Sequence, residues 1–280
     1  MKKAEKTEII AYKLKQRFKR LTPISEQILI SFSSKHIHAF RVDVKKCKAL
    51  NRLLGAGLNK KKKYRIPSQL KKIYKELGLI RNFRMQEKKI KASPFIQAES
   101  SLEKYLRYVR ESQDSHIQAV KAIFGGHKRF KPDRPALEYH KNKKAGQITI
   151  NKFNQDVTKE LIDLIRIENK SDEEFHNIRK VLKDIQYTWK FIKYESTGVT
   201  AFLSDKKEII RLTEHLGKFH DLSVAIKLME TDRLTSLVTG NERDSLLVIR
   251  NKWNEEKEER RRQLQTMISK KFEKQIKPDM

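Results

Sequence analysis

Apolar residues recur three or four positions apart along most of the chain, the spacing that gathers them on one face of an α-helix. The stretch from Ser33 to Leu54, SSKHIHAFRVDVKKCKALNRLL, shows it most clearly. Ile37, Phe40, Val44, Cys47, Leu50 and Leu54 form an apolar stripe there. His38, Arg41, Lys45, Lys48 and Arg52 fall at the same spacing beside it and form a cationic ridge. Like charges at this spacing repel by a few tenths of a kcal/mol per pair. Such a ridge is either a by-product of basic composition or a surface built to hold an anion.

A second copy bears on that choice. Phe175 to Ile192 reads FHNIRKVLKDIQYTWKFI, and an offset of 138 superimposes the two stretches. Ile37, Phe40, Val44, Cys47 and Leu54 then meet Phe175, Ile178, Leu182, Ile185 and Ile192. His38, Arg41, Lys45 and Arg52 meet His176, Arg179, Lys183 and Lys190, with Lys180 alongside. Core face and basic face repeat together, which points to duplication with each half one structural unit.

The remaining elements fit the same scheme. Residues 1–21 read as a basic lead-in, and Thr22–Pro23 as a helix start. That helix is expected to reach Leu54, with an interruption near Ser33–Ser34, and to end at Gly55 and Gly57. After Pro67, Leu70, Ile73, Leu77 and Ile80 give the next apolar face, with Arg81, Arg84 and Lys88 as a second ridge. At an offset of 139 the four apolar residues match Ile209, Leu212, Leu216 and Phe219, and Lys88 matches Lys227. Ser93–Pro94 opens a segment carrying Phe95, Leu102, Leu106 and Val109, and a separate helix over 115–124 closes the first half. Phe153, Val157, Leu161 and Leu164 form a face at the start of the second half. Ser171 with Glu174 reads as a capping box for the repeated helix, and Ser204 as the cap of the next. In the last helix, about 241–276, EEKEERRR reads as a solvated face. No strand-like alternation appears, so the expected class is all-α. The expected organisation is a lead-in at 1–21, a first repeat at 22–126, a linker at 127–148 and a second repeat at 149–280.

Composition sharpens the question of partners. Of 280 residues, 38% are hydrophobic, enough for a core, and the formal net charge is +29. That excess opposes compaction unless anions offset it, and it draws polyanions. Nucleic acid, anionic membrane and inorganic polyanions all qualify. The one cysteine, Cys47, lies on an apolar stripe and reads as a small buried hydrophobe, with no disulfide available. No apolar run nears the roughly 18 residues of a membrane span. MKKAEKTEII lacks the apolar stretch of a signal peptide, so a cytoplasmic chain without membrane insertion is expected.

Enzyme chemistry finds little support. HExxH, a phosphate-binding Walker loop and a dinucleotide fingerprint are all missing from the sequence. His36 and His38 are two apart and face different ways, with no carboxylate to complete a metal set. Asp172, Glu173 and Glu174 sit at a helix start, where capping accounts for them. The expectation is a non-enzymatic protein with no cofactor and no metal. Asn59 to Arg65, NKKKKYR, reads as a solvated loop or as a contact at the mouth of an anion site.

Four motifs in order, His38-Ala-Phe-Arg41, Leu77-Gly-Leu-Ile-Arg81-Asn-Phe, His176-Asn-Ile-Arg179 and Leu216-Gly-Lys-Phe-His220-Asp-Leu, resemble the CHAD family, the conserved-histidine α-helical domain. The resemblance runs from about Ser25 to the end of the chain. It implies two four-helix bundles related by a pseudo-twofold axis, together one such domain. Their long helices would surround a basic groove that binds inorganic polyphosphate. It also implies a polyphosphate-binding role for His38, Arg41, Lys45, Lys48, Arg52, Arg81, Arg84, Lys88, His176, Arg179, Lys180, Lys183, Lys190 and His220. A setting near polyphosphate granules would follow. Asn82 and Arg84 stand where the family usually has acidic residues, which makes the first half the more cationic.

Physical chemistry is compatible with that implication. Helical ridges hold cationic heads at about 5–6 Å intervals, and arginine adds a planar fork that can hold two oxygens. Two other readings stay open. RNA or DNA would use the same charge, although aromatic residues for stacking are sparse on the ridges, with Tyr187 alone in register. A helical scaffold could dock a protein partner through Leu246, Ile249, Trp253 and Met267, a face that equally suits bundle core.

Overall fold

The structure is a computed structural model that describes residues 3–56, 66–94, 102–124, 130, 143–192, 203, 205–230, 238 and 240–276. Among the described residues it is all-helical: α1 Lys3–Ser31, α2 Ser34–Gly55, α3 Ser68–Lys91, α4 Glu103–Phe124, α5 Lys143–Arg166, α6 Asp172–Thr188, α7 Lys206–Lys227 and α8 Asn241–Ile276. A short 3₁₀ turn, Trp189–Phe191, follows α6.

The chain start departs from its expected role. Residues 3–31 form one helix with Pro23 inside it, so 3–21 is no separate lead-in. Proline forfeits the bond to the carbonyl four residues back. Here Ile10, Leu14, Phe18 and Leu21 are fully buried on one face, and that burial outweighs the loss. The basic residues of this helix also have work: Arg17 and Arg20 bond buried Asp43 of α2 at 2.7 and 3.3 Å. Leu14→Ala should therefore cost 2–5 kcal/mol, the usual range for a core leucine. Denaturant melts check this; a change below about 0.5 kcal/mol would return the segment to the surface.

The α1–α2 corner turns at Phe32, which takes φ 47°. A non-glycine residue there carries strain of order 1 kcal/mol. Burial of its ring, 5% exposed, offsets that cost. Ser33 then caps α2 by accepting from the His36 amide. Ser171 and Glu174 make the expected capping box on α6. Helix α7 is capped by Asp205, which accepts from the Lys207 and Glu208 amides; Ser204, Phe95, Gly57 and Gly198 lie outside the described residues.

Two further boundaries move. The segments read apart before and after 115 are one helix, α4. The expected linker is shorter, because α5 already begins at Lys143 and Phe130 packs edge-on against Phe40 and Phe124. The basic stretch of α8 is not wholly solvated. Arg261 bonds Asp172 at 2.6 Å and the Lys170 carbonyl at 2.6 Å, and lies over the Phe175 and Phe219 rings.

The repeated helices α2 and α6 pack against each other, and α3 meets α7 beside them. Helix α1 lies along α2, α4 along α3, and α8 along α7. The buried side chains do not divide one cluster per half. The larger cluster takes residues from all eight helices, among them Leu14, Phe40, Leu77, Val120, Phe153, Ile185, Leu216 and Ile268. The smaller takes the C-terminal parts of α3 and α7 with the N-terminal parts of α4 and α8, around Tyr105 and Trp253. Cys47 is fully buried, and burial pushes its thiol up to about 12.

Candidate functional site

The apolar stripe of α2 turns its flank, and so its cationic ridge, toward α3 and α6. Arg41 leaves that flank and reaches α3. Its Nη1 donates to the Tyr74 carbonyl at 2.5 Å, and its guanidinium carbon lies 4.3 Å from the Tyr74 ring centre. Gly78, one turn on, makes room for it: a Cβ at that position would stand 2.4 Å from Arg41 Nη1. The second half repeats the device, with Arg179 of α6 beside Gly217 of α7, where a Cβ would stand 3.4 Å from Nη2. Each Leu-Gly motif is thus the slot for the arginine of its own half.

Lys45, one turn beyond Arg41, is where the halves meet. Burial first, then Arg179, Arg41, Arg81 and Lys183, lower its pKa to about 7. Those four come from α6, α2 and α3. His220 of α7 faces the same place; burial first, then Arg179, Lys45 and Arg81, lower it to about 4. His176 stacks on His220 with ring centres 4.4 Å apart, and burial followed by His220 lowers it to about 4 as well. Both imidazoles are neutral at pH 7. His38, at the exposed rim, is lowered by burial and then by Arg81, Lys45 and Arg41. Lys183 is lowered by burial and Arg179, and bonds Gln186 Oε1 at 2.7 Å.

Little negative charge answers this cluster. Arg81 stands 3.7 Å from Asp221 of α7. Asp221 is the counterpart of Asn82, so the second half supplies the acid that the first half lacks. Arg41, Lys45, Lys48, Arg179 and Lys183 enter no ion pair with a carboxylate among the described residues; Asp184 and Glu214 act on Lys48 and Lys183 from a distance. Buried Arg179 Nε and His176 Nδ1 have no hydrogen-bond partner among the described residues. Orphaned polar atoms of this kind call for a ligand or water.

Other expected site residues lie elsewhere. Arg52 bonds Asp184 of α6 at 2.9 Å and also Glu160 of α5, tying three helices together. Against the cost of burial, these two carboxylates hold its pKa above the usual arginine value. Arg84 donates to the Phe32 carbonyl and to Gln113 Oε1, and so braces the strained α1–α2 corner. Lys88 is exposed two turns beyond Arg81, and Lys190 is exposed in the 3₁₀ turn. Lys180 sits at the rim, exposed, bonded to Asn177 at 2.9 Å and 3.7 Å from Glu173.

Tyr74 was not legible as a site residue, since its ring and carbonyl serve a helix that precedes it by one element. Lys48 Nζ lies 4.1 Å from its ring centre. Tyr187 on α6 has Lys46 and Lys183 each 5.9 Å from its ring centre. Among the described residues no three of His, Cys, Asp and Glu are placed to hold a metal ion. No helix there is long and apolar enough to cross a membrane.

No curated protein matches the sequence. Among solved structures, the chain is similar to the crystal structure of the CHAD domain from the plant Ricinus communis, with a TM-score of 0.60 at 16% identity, covering 98% of this chain and 92% of that one. At that identity the likeness speaks to the fold. The family model of the CHAD domain matches residues 14–230. The chain, with its paired histidine and arginine motifs on α2 and α6, therefore belongs to the CHAD domain family.

Proposed function

We propose that this chain binds inorganic polyphosphate, without transforming it, at the cation cluster where α2 packs on α6. The observation that carries the reading is Lys45, held among Arg41, Arg81, Arg179 and Lys183. Gathering these charges costs stability that a bound polyanion would restore. Arginine forks and lysine heads suit phosphoryl oxygens. A ligand without bases also suits the aromatic residues present, because cations lie against the rings of Tyr74 and Tyr187, where bases would stack. A cytoplasmic setting beside polyphosphate granules belongs to the same proposal.

Competition tests it. Labelled polyphosphate is bound to the full chain, then RNA, DNA and short phosphates are titrated against it. Polyphosphate should win over RNA and DNA per unit charge; equal competition by duplex RNA would favour a nucleic-acid partner. With about five cations engaged and a slope near −0.7 per contact, affinity should fall about fiftyfold between roughly 50 and 150 mM salt. A flat response would exclude the cluster as the site.

The glycine slots give a paired test. Gly78→Ala pushes the Arg41 tip aside without moving backbone, so melting should stay within a few degrees while affinity drops about tenfold. Gly217→Ala meets Arg179 at ordinary contact distance, so helix propensity should dominate and stabilise the fold by about 0.5–1 kcal/mol with binding retained. Equal effects of the two substitutions on binding would refute the slot.

A further inference from the structure

The ridge on α2 spans about four turns of helix, from His38 to Arg52, and suggests a track for a long chain. Its geometry does not sustain one. Beyond Lys48 the ridge ends in Arg52, whose guanidinium is bonded to Asp184 and Glu160. A phosphate chain continuing that way would meet two carboxylates. On α3, Arg84 is turned to the Phe32 carbonyl and Gln113 and away from the cluster. Lys88 and Lys190 are exposed at separate places. Along the α2 and α6 ridges, the cations of this cluster free of ion pairs among the described residues are compact: Arg41, Lys45 and Lys48 within two turns of α2, about 10 Å, and Arg179 with Lys183 one turn apart on α6. His176 and His220 close one side with an unpartnered Nδ1.

We infer that this is a short, bounded subsite that takes about three phosphoryl groups across the α2–α6 contact, and not a segment of an extended track. The inference rests on the polyphosphate reading and specifies its ligand. Charge matches as well as length. A terminal phosphoryl group carries about 1.5 to 2 negative charges near neutral pH. With one more on the internal group, a linear triphosphate presents roughly four to five. The five cations free of ion pairs would neutralise it. Longer chains would gain mainly from the number of registers in which they can dock, with few added contacts.

The test is titration calorimetry on the full chain with sodium tripolyphosphate and with a long-chain polyphosphate, plus displacement of one by the other. Tripolyphosphate should bind one per chain, displace the long chain completely, and lie within about tenfold of its affinity per register. Affinity per register that is a hundredfold or more weaker for tripolyphosphate, or incomplete displacement, overturns the inference. The double variant Lys88→Ala with Lys190→Ala separates the cases further. It should leave both affinities within twofold. Selective loss for the long chain, tenfold with tripolyphosphate spared, would show an extended track. Failure of both ligands to bind the unaltered chain would instead remove the polyphosphate reading itself.

Discussion

Arg41→Ala combined with Arg179→Ala should weaken polyphosphate binding about a thousandfold while the chain stays folded. Arg41 sits in the slot opened by Gly78 and Arg179 lies beside Gly217, and each guanidinium supplies charge-assisted bonds worth about 1.5–3 kcal/mol. Losing two in one cluster removes roughly 3–6 kcal/mol, and a thousandfold corresponds to about 4 kcal/mol. Stability should change little or rise. The two arginines repel Lys45 in the free protein, and neither is in an ion pair that removal would orphan. The control is Lys60, Lys61, Lys62 and Lys63 to alanine, a loss of four charges from a stretch outside the described residues. If the quadruple variant loses more affinity than the double variant, total charge governs binding and the cluster does not.

Raising the pH from 7 to 9 should weaken binding about fiftyfold. Lys45 in the free protein has a pKa of about 7 and is half charged at neutrality. A bound anion favours the ammonium form and returns the pKa toward its ordinary value. The contribution of Lys45 is then level below about pH 6. Above 7, binding must take up a proton, and affinity falls tenfold per pH unit. Fold stability without ligand runs the other way. The unfolded chain, with an ordinary lysine pKa of about 10.4, holds a proton that the folded site has released, so stability rises between about pH 7 and 10. Calorimetry at pH 8 in buffers of different ionisation enthalpy counts the proton directly. Affinity constant from pH 7 to 9, with no proton uptake, would contradict the placement of Lys45. Lys45→Met should flatten the profile.

Much of this site is written in the chain because it is written twice. The offset of 138 picks out Arg41, Lys45, Arg179 and Lys183 from a composition rich in basic residues, and these four meet in the structure. Arg52 and Arg84 follow the same in-helix spacing and serve other ends. Spacing within a helix shows which cations share a face; it is silent on carboxylates that arrive from α5 and α6, more than a hundred residues away. The same blindness hides Asp43 as the partner of Arg17 and Arg20. The misreading of α1 has another origin. Proline at position 23 resembles a helix start, while Ile10, Leu14, Phe18 and Leu21 carry the periodicity that overrides it. The all-α class needed only the apolar periodicity and the scarcity of glycine and proline, 9 and 6 residues.

The division of the core along the helices, with both halves contributing to each cluster, bears on how such a chain can vary. Cutting it within 127–148 would not release two independent bodies but would open both clusters, exposing Phe40, Ile185 and Trp253 alike. The cation cluster shares this dependence, since Arg81 of one half leans on Asp221 of the other. The repeat is therefore an echo of ancestry more than a unit of assembly. Removing one copy would expose the core that it shares with the other.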